Sequence, residues 1–225
     1  MDIIKRKRSK IIIDMIQGNI DVAQALEILD LLLEDLNDEN IKKWVKNEIN
    51  GYSAEESVPK YRKANAEIIG TVKTYTAVIS RYNIPIPLED AKELCVIDIR
   101  DGLNEIVQMA IAEKEIDSHA LSIPLNIAYI NSIACINGEV THAHRQLSMY
   151  TYNNILGSLK SKILSIFKEL EKNYGNLDEY YIEFQNDIKE HETTKNITNI
   201  IFDNSIKIGD KNKLDDSIIG NKNNE

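Results

Sequence analysis

The sequence predicts an α+β fold that is mainly α: an N-terminal helical bundle with a small β insert, a long C-terminal helix and a β-prone tail. Three observations carry this expectation. Apolar residues recur at intervals of three and four through the first fifty residues and again after residue 140, which marks amphipathic helices. Between these stretches, Glu67 to Ser80 is rich in Ile, Val, Thr and Tyr, residue types that suit a pleated surface. From Thr193 the composition shifts to Ile, Gly, Asn, Asp and Lys. The expected organisation is a mainly helical domain over residues 1–192 and a short β-prone Asn/Gly/Ile tail over 193–225.

Residues 2–17 carry Ile3, Ile4, Ile11, Ile12, Met15 and Ile16 and stop at Gly18-Asn19, as a helix with one apolar edge does. Asp21 and Gln24 have the spacing of a capping box, and the leucine face from Val22 to Leu36 continues from it. Asn37 or Asp38 can cap a third helix, lined by Ile41, Trp44, Val45, Glu48 and Ile49, until Gly51 ends it. Short links between three such helices predict an antiparallel bundle. After Pro59 a β hairpin is expected, since Ile84-Pro85-Ile86-Pro87 cannot be helical. Leu94 to Arg100 alternates with a period of two, which predicts a half-buried strand. Asp101 is the expected cap of a helix whose stripe is Leu103, Ile106, Val107, Ala110 and Ile111, and Pro124 is expected to start a short helix through Ile133.

The longest helical pattern runs from Val140 to about Tyr174, with Leu147, Tyr150, Thr151, Ile155, Leu159, Ile163, Ile166, Phe167 and Leu170 on its inner face and Gly157 as the place for a kink. Leu177, Tyr180, Tyr181, Phe184 and Ile188 extend the helical signal as an aromatic packing stripe. In the tail, Ile208-Gly209-Asp210-Lys211-Asn212 recurs eleven residues later as Ile219-Gly220-Asn221-Lys222-Asn223. That is the texture of short strands joined by tight turns, too poor in apolar groups to form a core from one chain. Two readings stand for the tail, a disordered Asn/Lys/Asp-rich extension or a segment that orders by pairing between chains; the second is the expected one and makes the protein a homo-oligomer.

Lys and Arg number 27 against 36 Asp and Glu, a formal charge of −9. A generic phosphate-binding surface is not the expectation for such a chain, and nucleic acid is not the favoured partner. The basic start, Lys5 to Lys10, reads as a solvated helix face. No signal-type or membrane-spanning apolar run is present, so a cytoplasmic protein is expected. Cys95 and Cys135 have no zinc or redox spacing and read as reduced thiols. His142 and His144 would face together on a strand, but the surrounding pattern reads as helix, on which they diverge; no metal site is expected. A Cys135 nucleophile with either histidine as base lacks an orienting third group, and no phosphate loop, GxSxG elbow or HExxH occurs. No cofactor is implied.

The most type-restricted stretch is Asp38 to Arg62, which holds the only Trp. Trp44 and Glu48 share a helix face, and Pro59 enforces an extended approach to Tyr61 and Arg62. Trp44, Glu48, Tyr52, Tyr61 and Arg62 are the candidate binding residues. They form either a polar cleft under aromatic walls or a helix end clamped by Trp packing and a Glu/Arg ion pair, and the clamp is the expected one. The run Trp44-Val45-x-x-Glu48-Ile49-x-Gly51-Tyr52 with Val58-Pro59-x-Tyr61-Arg62, followed by Pro85-Ile86-Pro87, Ile99-Arg100-Asp101-Gly102 and Ile123-Pro124, resembles the AbiTii-type domain of bacterial abortive-infection proteins over about residues 10–175. Leu125 and Asn126 depart from that pattern. The resemblance implies a role in antiphage defence, as an oligomeric interaction or effector module with a phage or host protein partner, and brings no catalytic residues with it. The alternatives are a nucleic-acid-directed effector enzyme or an antitoxin-like regulatory subunit.

Overall fold

The structure is a computed structural model of the 225-residue chain and describes residues 7–115, 122–147, 150–184 and 187–202. Its elements in chain order are α1 (Lys10–Gln17), α2 (Val22–Leu32), α3 (Glu39–Asn50), a 3₁₀ turn (Lys60–Arg62), β1 (Lys63–Lys73), β2 (Val78–Asn83), α4 (Leu88–Leu94), β3 (Val96–Asp98), α5 (Leu103–Glu115), β4 (Ser122–Pro124), α6 (Ile127–Ile133), β5 (Glu139–Leu147), α7 (Thr151–Tyr174) and α8 (Asp187–Phe202). The α+β, mainly helical class is as the sequence predicts.

The helical layer is organised around α7. Leu159, Ile163, Ile166, Phe167 and Leu170 on α7 are fully buried against Leu26, Leu29, Leu32 and Leu36 of the α2 stretch, Ile11 to Met15 of α1, Ile41 and Val45 of α3, and Ile197 and Ile201 of α8. Local signals set these helices. Asp21 and Gln24 form the reciprocal capping box, and Asp38 accepts from the amides of Asn40 and Ile41. α1 is capped from outside instead: the Ser9 amide and hydroxyl both donate to Glu171 of α7, at 2.6 and 2.7 Å. A salt bridge from Arg8 reaches the same carboxylate.

β1 is the spine of the sheet, whose order is β2-β1-β5-β4 with β3 also paired to β1, every pairing antiparallel. One face carries Ala64, Ala66 and Leu147 against Ile106 and Ala110 of α5 and Ile155 of α7; further along, Ile68, Val72, Val140 and Ala143 pack on Ile130 of α6. The hairpin β1–β2 and the strand near Ile97 are as expected from composition and alternation.

Five expectations are corrected. The pattern from Val140 is a strand, and α7 begins only at Thr151 and then runs unbroken through Gly157. The reason is a bulge: β1 residues Thr71 and Val72 pair with His142 and Val140, so Thr141 is extra. It puts the inward residues Val140, Ala143 and Leu147 at spacings of three and four, which imitates a helix. Residues 177–184 are not helical; Leu177 and Ile182 are buried, Tyr180 and Tyr181 are exposed, and α8 starts at Asp187 with Ile188 in solvent. Gly102 supplies the first carbonyl of α5, to Ile106, in place of Asp101, and Ile111 is exposed. Pro124 ends β4, while Asn126 caps α6 through the Tyr129 amide. Thr193 to Phe202 continue α8, so the boundary at 192/193 falls inside a helix and Ile200-Ile201 are not strand residues. The recurrence of Ile208 to Asn223 and the start of the chain at Ile3 and Ile4 lie outside the described residues.

Candidate functional site

The five singled-out residues meet at one point. Glu48 comes from the last turn of α3, Tyr52 follows the helix stop, and Tyr61 and Arg62 lie on the 3₁₀ turn that Pro59 opens with an extended ψ of 155°. Arg62 grips the Glu48 carboxylate through Nη2 to Oε2 at 2.7 Å and Nε to both oxygens at 3.1 Å. Tyr52 and Tyr61 donate their hydroxyls to Glu48 Oε1 at 2.5 and 2.7 Å. Trp44 in turn donates its indole N–H to the Tyr61 oxygen at 3.0 Å. The remaining guanidinium nitrogen, Nη1, donates to the carbonyls of Asp101 at 2.6 Å and Ile99 at 3.3 Å. The Arg62 guanidinium also sits 5.1 Å from the centre of the Tyr52 ring.

Both charged side chains have 0% exposure. Removing two ions from water costs several kcal/mol each, and only close geometry with every lone pair and proton engaged offsets that. Here all three guanidinium nitrogens donate and both Glu48 oxygens accept. The electrostatics follow: burial, and then the Glu48 charge, push both the Tyr52 and Tyr61 phenols well above the usual range. Burial opposes the Arg62 charge, yet Glu48 attraction and hydrogen bonding leave it raised overall. Phenols and guanidinium therefore stay protonated, and the donors that hold the carboxylate do not let go at any ordinary pH.

The backbone closes the other side. Gly51 has φ 93°, and a Cβ there would stand 2.8 Å from the Arg100 carbonyl; a Cβ on Gly102 would stand 2.8 Å from the Ile49 carbonyl. Two glycines thus let the end of α3 and the loop before α5 touch main chain to main chain, sealed by the Tyr52 amide donating to Arg100 O at 2.8 Å. Around the rim, Arg100 donates to the Ser53 and Glu56 carbonyls and pairs with Asp98. Lys43 bonds Glu56 at 2.6 Å; that contact, with hydrogen bonds from the Ser53 amide and Asn47, holds the Glu56 carboxyl down at about 2.

The aromatic members reach outward while the ion pair does not. Trp44 and Tyr52 line a hollow of about 320 Å³ shared with Lys43, Glu56, Pro59 and Phe202. Tyr61 lines a larger, open groove of about 910 Å³ along α7, with Asn153, Gly157, Ser161, Lys162 and Asn199. Lys162 donates to the Ile200 carbonyl at 2.7 Å and lies 5.2 Å from the Tyr61 ring centre. Sequence reasoning did not place Arg100, Gly102 or Lys162 at this cluster. Lys162 had a readable signal, a basic residue inside the α7 apolar stripe; the Ile99 and Asp101 carbonyls had none, because every residue carries one. Among the described residues, no group of three or more His, Cys, Asp and Glu is placed to hold a metal ion, and no helix is long and apolar enough to cross a membrane.

The fold and the network define a mainly helical α+β protein built around a sealed ion pair that ties α3, the 3₁₀ turn and the loop before α5 together. The chain belongs to the AbiTii family, whose family model matches residues 9–197. Neither a curated protein nor a solved structure matches it.

Proposed function

We propose that the protein acts in antiphage defence of the abortive-infection kind, as an oligomeric interaction or effector module, with the Glu48–Arg62 network as the clamp that keeps its surfaces in place. Family membership supports the defence role. The observation that carries the clamp reading is that Glu48 and Arg62 are both fully enclosed, with both carboxylate oxygens and all three guanidinium nitrogens bonded within the protein. A sealed carboxylate with three side-chain partners stabilises a scaffold and offers nothing to a substrate. Trp44, Tyr52 and Tyr61 are the members through which a partner protein would meet the cluster, since they line the two hollows. Assembly through the segment after Phe202 is supported by its eleven-residue recurrence.

The test is a phage plaque assay on cells carrying the intact gene, an empty vector, and Glu48→Gln or Arg62→Ala variants, with melting temperatures of the purified proteins alongside. Protection is expected to fall in step with melting temperature. A variant that melts like the wild type and no longer protects overturns the clamp reading and makes the cluster a site of contact.

A further inference from the structure

Because β5 is a strand, residues two apart on it project from the same face. His142 and His144 do so, with ring centres 5.6 Å apart and ring planes at 48°. They stand on the face opposite the one that sends Val140 and Ala143 into the core. The backbone beneath them is fixed on both sides: His142 pairs with Thr71, and His144 pairs with Ile69 on β1 and Pro124 on β4. His142 is exposed and His144 half-buried, so the pair opens outward.

We propose that His142 and His144 form a two-point chelate for a late first-row divalent metal ion, with Zn²⁺, Ni²⁺ and Cu²⁺ as the class of ligand. Imidazole nitrogens suit these borderline ions. Zinc binds a histidine nitrogen at about 2.0–2.1 Å, and the ring centre lies about 1.1 Å beyond, so two imidazoles on one tetrahedral ion have centres about 5.2 Å apart. The observed separation of 5.6 Å lies close to that value. Among the described residues no third His, Cys, Asp or Glu joins the pair, so the two imidazoles are the ligands the proposal rests on. The site is independent of the buried network and of the defence reading.

Isothermal titration of the full chain with ZnCl₂, NiCl₂ or CuCl₂ tests it, on the wild type and on His142→Ala, His144→Ala and, as a control on α8, His191→Ala. One ion per chain is expected, with the tightest binding for Cu²⁺. Either single substitution should weaken it at least tenfold by removing the intramolecular second bond, while His191→Ala leaves it unchanged. Wild-type protein that takes up no metal at millimolar concentration, or single variants that bind as the wild type does, overturns the proposal. A readout needing no variant is the NMR spectrum of the wild type: substoichiometric Cu²⁺ should broaden the His142 and His144 ring protons first, and broadening confined to other histidines counts against the site.

Discussion

At the scale of single residues, the buried pair decides between two energetic outcomes. Taking away one partner leaves the other charge enclosed without compensation, which costs about 3–5 kcal/mol. Glu48→Ala and Arg62→Ala are therefore expected to lose stability on that scale in urea unfolding, and Trp44→Ala a similar amount by leaving a cavity beside Tyr61. The two ionic positions should be coupled by about 0.5–3 kcal/mol in a double-mutant cycle, and strictly additive losses would contradict the network. Swapping the charges restores nothing, because Tyr52 and Tyr61 present donors to position 48 while the Ile99 and Asp101 carbonyls present acceptors to position 62. The phenols add a pH signature. Their folded pKa values are raised above the ordinary 10.0, so below pH 10 folded and unfolded states are both protonated and stability is level. Above it the unfolded tyrosines release protons that the folded ones keep, and stability falls by up to about 1.4 kcal/mol per pH unit for each. Unfolding measured at pH 9, 10 and 11 should show this slope in the wild type and a flatter one in the Tyr52→Phe/Tyr61→Phe double variant. All five residues were legible in the sequence because spacing, a unique Trp and a Pro constrain their types. That the pair is sealed was not, because the seal is made of main-chain carbonyls and two glycines that touch across about fifty residues of sequence.

At the scale of elements, the helices that announce themselves by local chemistry were readable and those defined by tertiary contact were not. The α2 capping box and the Asp38 cap act within one turn, so sequence contains them whole. β5 was hidden by its bulge, since one extra residue converts a period of two into spacings of three and four. The start of α1 is a tertiary device too: the Ser9 amide donates to Glu171, on α7, and the Ser9 hydroxyl in turn accepts from the Leu177 amide at 3.0 Å. Ser9 has no exposure. Ser9→Ala is expected to cost about 1–3 kcal/mol by leaving the Leu177 amide without its acceptor and removing one of the two donors to Glu171 Oε1. Burial raises the Glu171 carboxyl, but the Ser9 and Arg8 hydrogen bonds outweigh it and leave the group lowered. Its contribution is then present above the unfolded carboxylate range and lost as pH falls through the lowered folded value. Acid titration of Glu171→Gln should accordingly show less loss of stability below pH 4 than the wild type, and equal losses would remove Glu171 as the anchor of α1.

At the scale of the whole molecule, α8 carries the helical core across residue 192 to Phe202. Thr193, Ile197 and Ile201 have no exposure, the Asn196 amide donates to Glu169 at 2.7 Å, and the Ile200 carbonyl accepts from Lys162 beside Tyr61. Cutting after His191 thus removes two fully buried isoleucines and opens the helical core at α7. Each isoleucine contributes about 2–5 kcal/mol when truncated to Ala, against a total domain stability of about 5–15 kcal/mol. That shortened protein is expected not to fold. Cutting after Phe202 removes 23 residues and keeps Ile197 and Ile201 in the helical core, and is expected to leave the melting temperature within a few degrees of the wild type. The assembly proposal predicts that this second truncation has a lower mass by light scattering than the intact chain, because it removes the repeated Ile-Gly-(Asp/Asn)-Lys-Asn units on which that proposal rests. Mixing the two lengths discriminates further: if the recurrent segment joins chains, the truncated protein stays outside the assemblies that the intact protein forms. An unchanged mass on truncation makes the α+β core, or nothing, the assembling part, and the recurrence an extension without that role.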